Sequence, residues 1–351
     1  MRLNNRFTAA IVAVAAIFLL ITSLYLYSRN IPDTQNDNSS SVANSSEDAV
    51  SSGNGQASED ASDIISNESS EDGNPSSIEV ILYNKAVQLD LSVNSAYVAA
   101  AYSDHGIIFQ KNTNQRCYPA SLTKLLTVST AARYVDEDYL FTVGDELDLI
   151  MPGSTLAYLN KGDILSFRAL TDALLLPSGN DAAYVMAVGV GRKYAGDNSL
   201  SAASALEVFM SLMNKTADDL GCTGSSFITP DGYHNDSHYT TATDMLKIAI
   251  YASGLDIVRN SVKQSTARHV FYSGRDVTWV NTNLLLNSGS SYYYNAAIGM
   301  KTGTTDEAGR CLIAIAQKNG KEVIAVLMNA SSDVNRYNDA IAVLNAALES
   351  S

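Results

Sequence analysis

The chain has 351 residues, 46% of them hydrophobic, and a formal net charge of −14 at neutral pH. That length suits one large domain or two ordinary ones. The acidic balance argues against nucleic acid as a partner, because phosphate binding needs a cationic face. The three cysteines, Cys117, Cys222 and Cys311, form no disulfide framework and no C-x-x-C metal or redox spacing. They read as small buried hydrophobes, with a single Cys117–Cys311 bridge as the open alternative.

The N-terminus opens with Arg2 and Arg6, followed by a mostly apolar run from Thr8 to Tyr27. Such a run in helical form spans about 30 Å, the thickness of a bilayer core. It is longer than the ~7–15-residue core of a signal peptide, and no A-x-A pattern follows it. An uncleaved transmembrane anchor over residues 8–27 is therefore expected in preference to a cleaved signal, which would leave the protein secreted. The positive-inside bias puts residues 1–7 in the cytoplasm and the rest outside the cell membrane. Residues 28–77 are rich in Ser, Asn, Asp and Glu, and from Ile31 to Ser77 there is no Lys or Arg. So polar a segment buries too little to offset its ordering entropy. It reads as a disordered tether with an r.m.s. reach of about 35–40 Å.

Folded sequence is expected over 78–351. Ala96–Tyr102 and Gly106–Gln110 read as strands around the polar turn Ser103-Asp104-His105. A helix should start close to Pro119, since proline suits a first helical turn. Arg168–Leu176 and Asp181–Val190 read as apolar helices flanking a Pro-Ser-Gly break, and Leu206–Leu220 and Thr241–Ala252 have helical spacing. Ala297–Thr302, Cys311–Gln317 and Glu322–Met328 read as strands, the last two joined by Asn319-Gly320, a strong hairpin signal. Arg336–Leu348 is an amphipathic closing helix. Strands at both ends with helices between them imply an α+β fold, an antiparallel sheet built from both chain ends with a helical subdomain inserted.

Three short elements have the makings of chemistry. Ser121-Leu122-Thr123-Lys124 puts a hydroxyl and an amine on one face of a helical turn. Serine is a poor nucleophile until a neighbouring base takes its proton, and a lysine of lowered pKa can be that base. Taken alone, the pair also fits a solvated helix face. Ser178-Gly179-Asn180 can offer a hydroxyl to relay a proton and an amide to bind a carbonyl, or can be an ordinary turn with an N-cap. Lys301-Thr302-Gly303 ends a strand. Its lysine can attract a carboxylate, and its glycine lets a ligand backbone approach. The strand edge could pair with an extended peptide, or could run into a plain turn. His234 and His238 are four apart but lie in loop-like sequence, so no zinc site is expected. Gly189–Gly191 lacks the strand and third glycine of a nucleotide site. No cofactor is implied.

In that order the three elements form the signature of penicillin-recognising serine enzymes. With their flanks they resemble the low-molecular-weight D-alanyl-D-alanine carboxypeptidases, peptidase family S11. The matching stretches are Pro119–Lys124, Leu176–Ala183 and Lys301–Thr305, together with Thr229–Gly232, His238–Asp244 and Asn281–Leu285. The resemblance runs from about Ser95 to about Leu348. It implies the β-lactamase/transpeptidase-like fold, and a substrate that is a peptidoglycan stem peptide ending in D-Ala-D-Ala, with β-lactam antibiotics as inhibitors. It implies catalytic roles for Ser121 (nucleophile), Lys124 (base) and Ser178 (proton relay). Asn180, Lys301, Thr302, Gly303, Thr304 and Arg336 would bind substrate, and the backbone N–H groups of Ser121 and Thr304 would hold the oxyanion.

Two features depart from the family pattern. Relatives often continue into a second β-rich domain ending in a membrane-lying helix, a job expected here of the N-terminal span. They also often have an Asp…Thr-Gly turn where this chain has Ser103–Gly106. A class A-like β-lactamase shares all three elements but needs a Glu-x-x-Leu-Asn segment, which is missing between Asn180 and Lys301. A non-catalytic wall-binding module would not need all of Ser121, Lys124, Ser178, Asn180 and Lys301.

Overall fold

Residues 78–350 are described by the structure, a computed structural model. The expected anchor and tether, residues 8–27 and 28–77, lie outside them. Among the described residues no helix is long and apolar enough to cross a membrane.

The sheet is built from segments that are apolar on both faces. In β10 (Lys321–Ala330), Val323, Ala325 and Leu327 face one layer, and Ile324, Val326 and Met328 face the other. A strand covered on both sides reads as a near-continuous hydrophobic run. The strand order is β1-β3-β2-β10-β9-β8, with β1 at Tyr83–Asn84, β2 at Tyr97–Tyr102, β3 at Gly106–Lys111, β8 at Ala297–Thr305 and β9 at Gly309–Lys318. Every pairing is antiparallel except β1 with β3, a two-residue parallel contact. The two chain ends meet where β2 lies against β10. Both residues of the Asn319-Gly320 turn have positive φ, 52° and 79°, as a tight hairpin requires.

One face of the sheet is covered by α7 (Asp333–Glu349), which buries Tyr337, Ala340, Val343, Leu344 and Ala347 as a helical stripe. The other face packs on α1 (Thr123–Ala131) and α5 (Ala242–Ser253). All nine residues of α1 are buried, because it is enclosed between the sheet and the inserted helices α2 (Phe167–Leu175), α3 (Asn180–Ala195) and α4 (Ala202–Asp219). The short α6 (Asp256–Val262) leads to β8 through the hairpin β6 (Thr266–Val270) and β7 (Asp276–Val280). That hairpin, and the small pair β4 (Leu140–Thr142) and β5 (Ile164–Ser166), have no counterpart among the elements expected from sequence. The helix expected at Pro119 begins as a 3₁₀ turn, Ala120–Leu122, and becomes α-helical only at Thr123. All three cysteines are free and buried.

Asp339 on α7 ties the two chain ends together. Its carboxylate accepts from Ser95 N (2.6 Å), Ser95 Oγ (2.7 Å) and Asn94 N (3.1 Å), just ahead of β2. Removing it leaves buried donors unsatisfied. Asp339→Ala should destabilise the domain by about 2–3 kcal/mol, seen as a lower urea midpoint at constant m-value. An unchanged midpoint would mean this junction carries no stability.

Candidate active site

Ser121 sits in the 3₁₀ turn and Lys124 in the first turn of α1. Side chains three apart eclipse in 3₁₀ geometry, which brings Lys124 Nζ to 2.8 Å from Ser121 Oγ. The turn is strained at its start, since Ala120 has φ 48°. Two close approaches fix it in place. A Cβ on Gly232 would meet Ala120 O at 1.9 Å, and a Cβ on Gly303 would meet Pro119 O at 3.0 Å and Ser121 N at 3.2 Å. The Thr229–Gly232 loop and β8 therefore clasp the Ser121 turn from two sides, and both need glycine to do so.

Lys124 is wholly buried. Besides Ser121 it donates to Asn180 Oδ1 (2.8 Å) and to the carbonyl of Asp231 (2.7 Å). Burial lowers its pKa to about 8, against the opposing pull of Asp231 and Asp181. An ammonium has three donors and meets three acceptors here. The neutral amine has two donors and one lone pair, and two of its partners are carbonyl oxygens that cannot donate. On deprotonation the lone pair can therefore be satisfied only by the Ser121 hydroxyl, the arrangement a general base requires.

Asn180 opens α3 and is fixed at both ends of its amide, since Nδ2 donates to Ser154 Oγ at 3.0 Å. Ser178 has φ 67°, and its buried Oγ has no hydrogen-bond partner among the described residues. Lys301 is buried and donates to the Thr302 carbonyl (3.0 Å). Burial, with the Lys124 and Arg336 charges nearby, pushes its pKa well below the usual amine range. Thr304 is exposed. Arg336 reaches it from behind, donating to Thr304 Oγ1 (3.4 Å) and to the carbonyls of Gly303 (3.3 Å) and Cys311 (3.2 Å). Its other arm pairs with Asp333. Most of its hydrogen bonds thus hold the end of β8.

Sequence reasoning left several supporting residues without a role. Thr282 N donates to Leu176 O (3.0 Å), and its hydroxyl bonds that of Thr302 (2.7 Å), so it links the segment before Ser178 to β8. Asp181 accepts from Ala157 N and Leu159 N and fixes the loop that carries Ser154. His238 is a brace, and among the described residues no three ligand side chains cluster for a metal. Its Nδ1 accepts from Ile228 N (3.2 Å) and Thr229 N (3.3 Å), so its proton is on Nε2, 3.0 Å from Thr123 Oγ1. The only sequence signal for Thr282 and His238 was their place in matched stretches, since spacing alone gives no hint of such bonds.

Residues 83–332 match the D-alanyl-D-alanine carboxypeptidase family, Peptidase_S11. The chain is 34% identical over 247 residues to the D-alanyl-D-alanine carboxypeptidase of Streptomyces sp. strain K15, covering 68% of this chain and 81% of that one. It is 30% identical over 238 residues to the D-alanyl-D-alanine carboxypeptidase DacF of Bacillus subtilis, covering 66% of this chain and 56% of the relative, little more than half its length. The crystal structure of the Streptomyces K15 DD-transpeptidase matches with a TM-score of 0.67 at 29% identity, covering 74% of this chain and 98% of that one. Penicillin-binding protein D2 of Listeria monocytogenes, in its ampicillin-bound form, shares the fold at a TM-score of 0.59 and 22% identity.

Burial, aided by the His234 and Lys124 charges, lowers the pKa of His238 from 6.5 to about 4. The unfolded chain takes up the proton first, so stability should fall as pH drops from 6.5 toward 4, with His238 contributing up to about 3 kcal/mol. Denaturant midpoints across that range should show the loss, and His238→Gln should flatten it. An equally steep slope in the variant would assign it to other groups.

Proposed function

The chain belongs to the D-alanyl-D-alanine carboxypeptidase family of serine peptidases, and from that premise we propose how its groove cleaves a stem peptide ending in D-Ala-D-Ala. The fold is of the transpeptidase type, and the protein is a penicillin-binding serine hydrolase. The observation that carries the mechanism is the three-partner environment of Lys124.

Neutral Lys124 takes the Ser121 proton as Oγ attacks the carbonyl of the penultimate D-Ala. The oxyanion is held by the backbone N–H groups of Ser121 and Thr304, preorganised donors of a kind worth about 3–4 kcal/mol each. Support for this placement comes from Ser121 N standing abreast of Gly303, next to Thr304. Terminal D-Ala leaves as its nitrogen receives a proton from Lys124 through Ser178, whose unpartnered hydroxyl is available for the relay. Asn180 orients both Lys124 and the substrate amide. Lys301, with the hydroxyls of Thr302 and Thr304, receives the terminal carboxylate, and Gly303 lets the substrate backbone lie against the exposed edge of β8. Arg336 assists through Thr304, whose hydroxyl it holds. Water then hydrolyses the acyl-enzyme. β-Lactams acylate Ser121 as mimics of the same terminus.

We also propose that the domain works outside the cell membrane, held by the apolar run Thr8–Tyr27 and spaced from it by residues 28–77. The length of that run, the arginines before it and the acidic composition after it support this reading.

Release of D-alanine from diacetyl-L-Lys-D-Ala-D-Ala should be abolished by Ser121→Ala and reduced about 10²–10⁴-fold by Lys124→Ala. Only the unprotonated amine can act as base. The acylation rate should therefore rise about tenfold per pH unit below the Lys124 pKa of about 8 and level off above it. A rate independent of pH between 6 and 9, or a mild effect of Lys124→Ala, would assign the base elsewhere.

A further inference from the structure

Tyr158 stands out in the loop that also carries Ser154. It is 75% exposed between the buried residues Ala157 and Leu159. Its φ is 61°, a left-handed conformation that costs a residue other than glycine roughly 1–3 kcal/mol. The exposed ring gains nothing from core packing to offset this. Yet the peptide groups around it are firmly tied. Buried Asp181 accepts from Ala157 N (2.8 Å) and Leu159 N (2.9 Å), Trp279 Nε1 donates to Ala157 O (3.0 Å), and Arg275 donates to Tyr158 O (2.7 Å). Three side chains thus hold a strained turn whose product is one outward-facing aromatic ring.

The turn is coupled to the active centre. Ser154 Oγ accepts from Asn180, and Thr155 O accepts from Asn180 N (2.8 Å). Tyr158 is four residues beyond Ser154, a span of at most about 14 Å. An extended peptide advances about 3.3 Å per residue. Four upstream substrate residues in extended form thus span about 13 Å, comparable to the largest Ser154–Tyr158 separation. Tyrosine suits contact with such a peptide, because it offers a rigid, amphipathic face with little rotamer entropy to lose.

We propose that Tyr158 is a specificity-determining residue, its ring packing on the stem peptide upstream of the D-Ala-D-Ala terminus. The inference rests on the carboxypeptidase reading above and adds the part of the substrate that lies beyond the reacting carbonyl. The test compares kcat/KM for diacetyl-L-Lys-D-Ala-D-Ala with that for the pentapeptide L-Ala-γ-D-Glu-L-Lys-D-Ala-D-Ala. The wild-type protein should favour the pentapeptide, and Tyr158→Asn should shrink that preference about tenfold. Asparagine tolerates positive φ, so this variant keeps the turn. Tyr158→Phe should retain the preference, and so should Tyr194→Ala. Tyr194 is an exposed tyrosine near the far end of α3, roughly 20 Å along the helix from Asn180.

Equal losses of Tyr158→Asn on both substrates would make Tyr158 a framework residue and overturn the proposal. So would no loss on either, or no wild-type preference. A loss confined to a disaccharide-linked pentapeptide would put the ring on the glycan and overturn the peptide assignment. If wild-type protein cleaves neither peptide, the carboxypeptidase reading fails first.

Discussion

The proposed chemistry depends on one buried amine with three fixed partners. Lys124 has no water-facing surface, and its two carbonyl partners are held by the framework. A lysine in solvent would stay protonated at neutral pH and could accept nothing. Here burial makes the charged form costly, against the opposing pull of Asp231 and Asp181. The geometry decides which proton the neutral amine can take. Lowered basicity and direction toward Ser121 thus have a common origin in the burial of the Lys124 side chain.

The fold serves to keep those partners in place. Three distant parts of the chain meet at the Ser121 turn, each by a distinct physical device. α1 carries Lys124 in the middle of the core, where none of its residues can shift without disturbing both layers. α3 starts at Asn180, and Asp181 beside it anchors the loop that fixes the other end of the Asn180 amide. β8 presses backbone against backbone at Gly303, and Thr282 ties it to the segment that leads into Ser178. His238 adds a further tie, between α1 and the loop that carries the Asp231 carbonyl. Such a supporting shell holds reacting groups within the tolerance that catalysis needs.

Much of this was legible in the sequence where a local rule applied. Asn319-Gly320 required positive φ and marked its hairpin. The apolar runs at Cys311–Gln317 and Glu322–Met328 proved to be central strands, and the helix at Arg336–Leu348 kept its stripe. The three motifs were visible as motifs, but their convergence came only from the family resemblance, because contacts across 56 residues and more leave no local trace. The β6–β7 hairpin escaped for a different reason. In β6 only Ala267 is fully buried and in β7 only Trp279, so although burial alternates, five-residue strands with one core residue each give a weak signal. The α-helix expected at Pro119 became a 3₁₀ turn because β8 and the Thr229–Gly232 loop press on it from outside, a tertiary demand that propensity does not report.

The account stands or falls on whether the hydroxyl beside Lys124 is the reacting atom. Mass spectrometry of the protein after exposure to benzylpenicillin, with the modified peptide mapped, tests this directly. The account predicts one penicilloyl group per chain, attached to Ser121. An adduct on any other residue, or none on correctly folded protein, would contradict it.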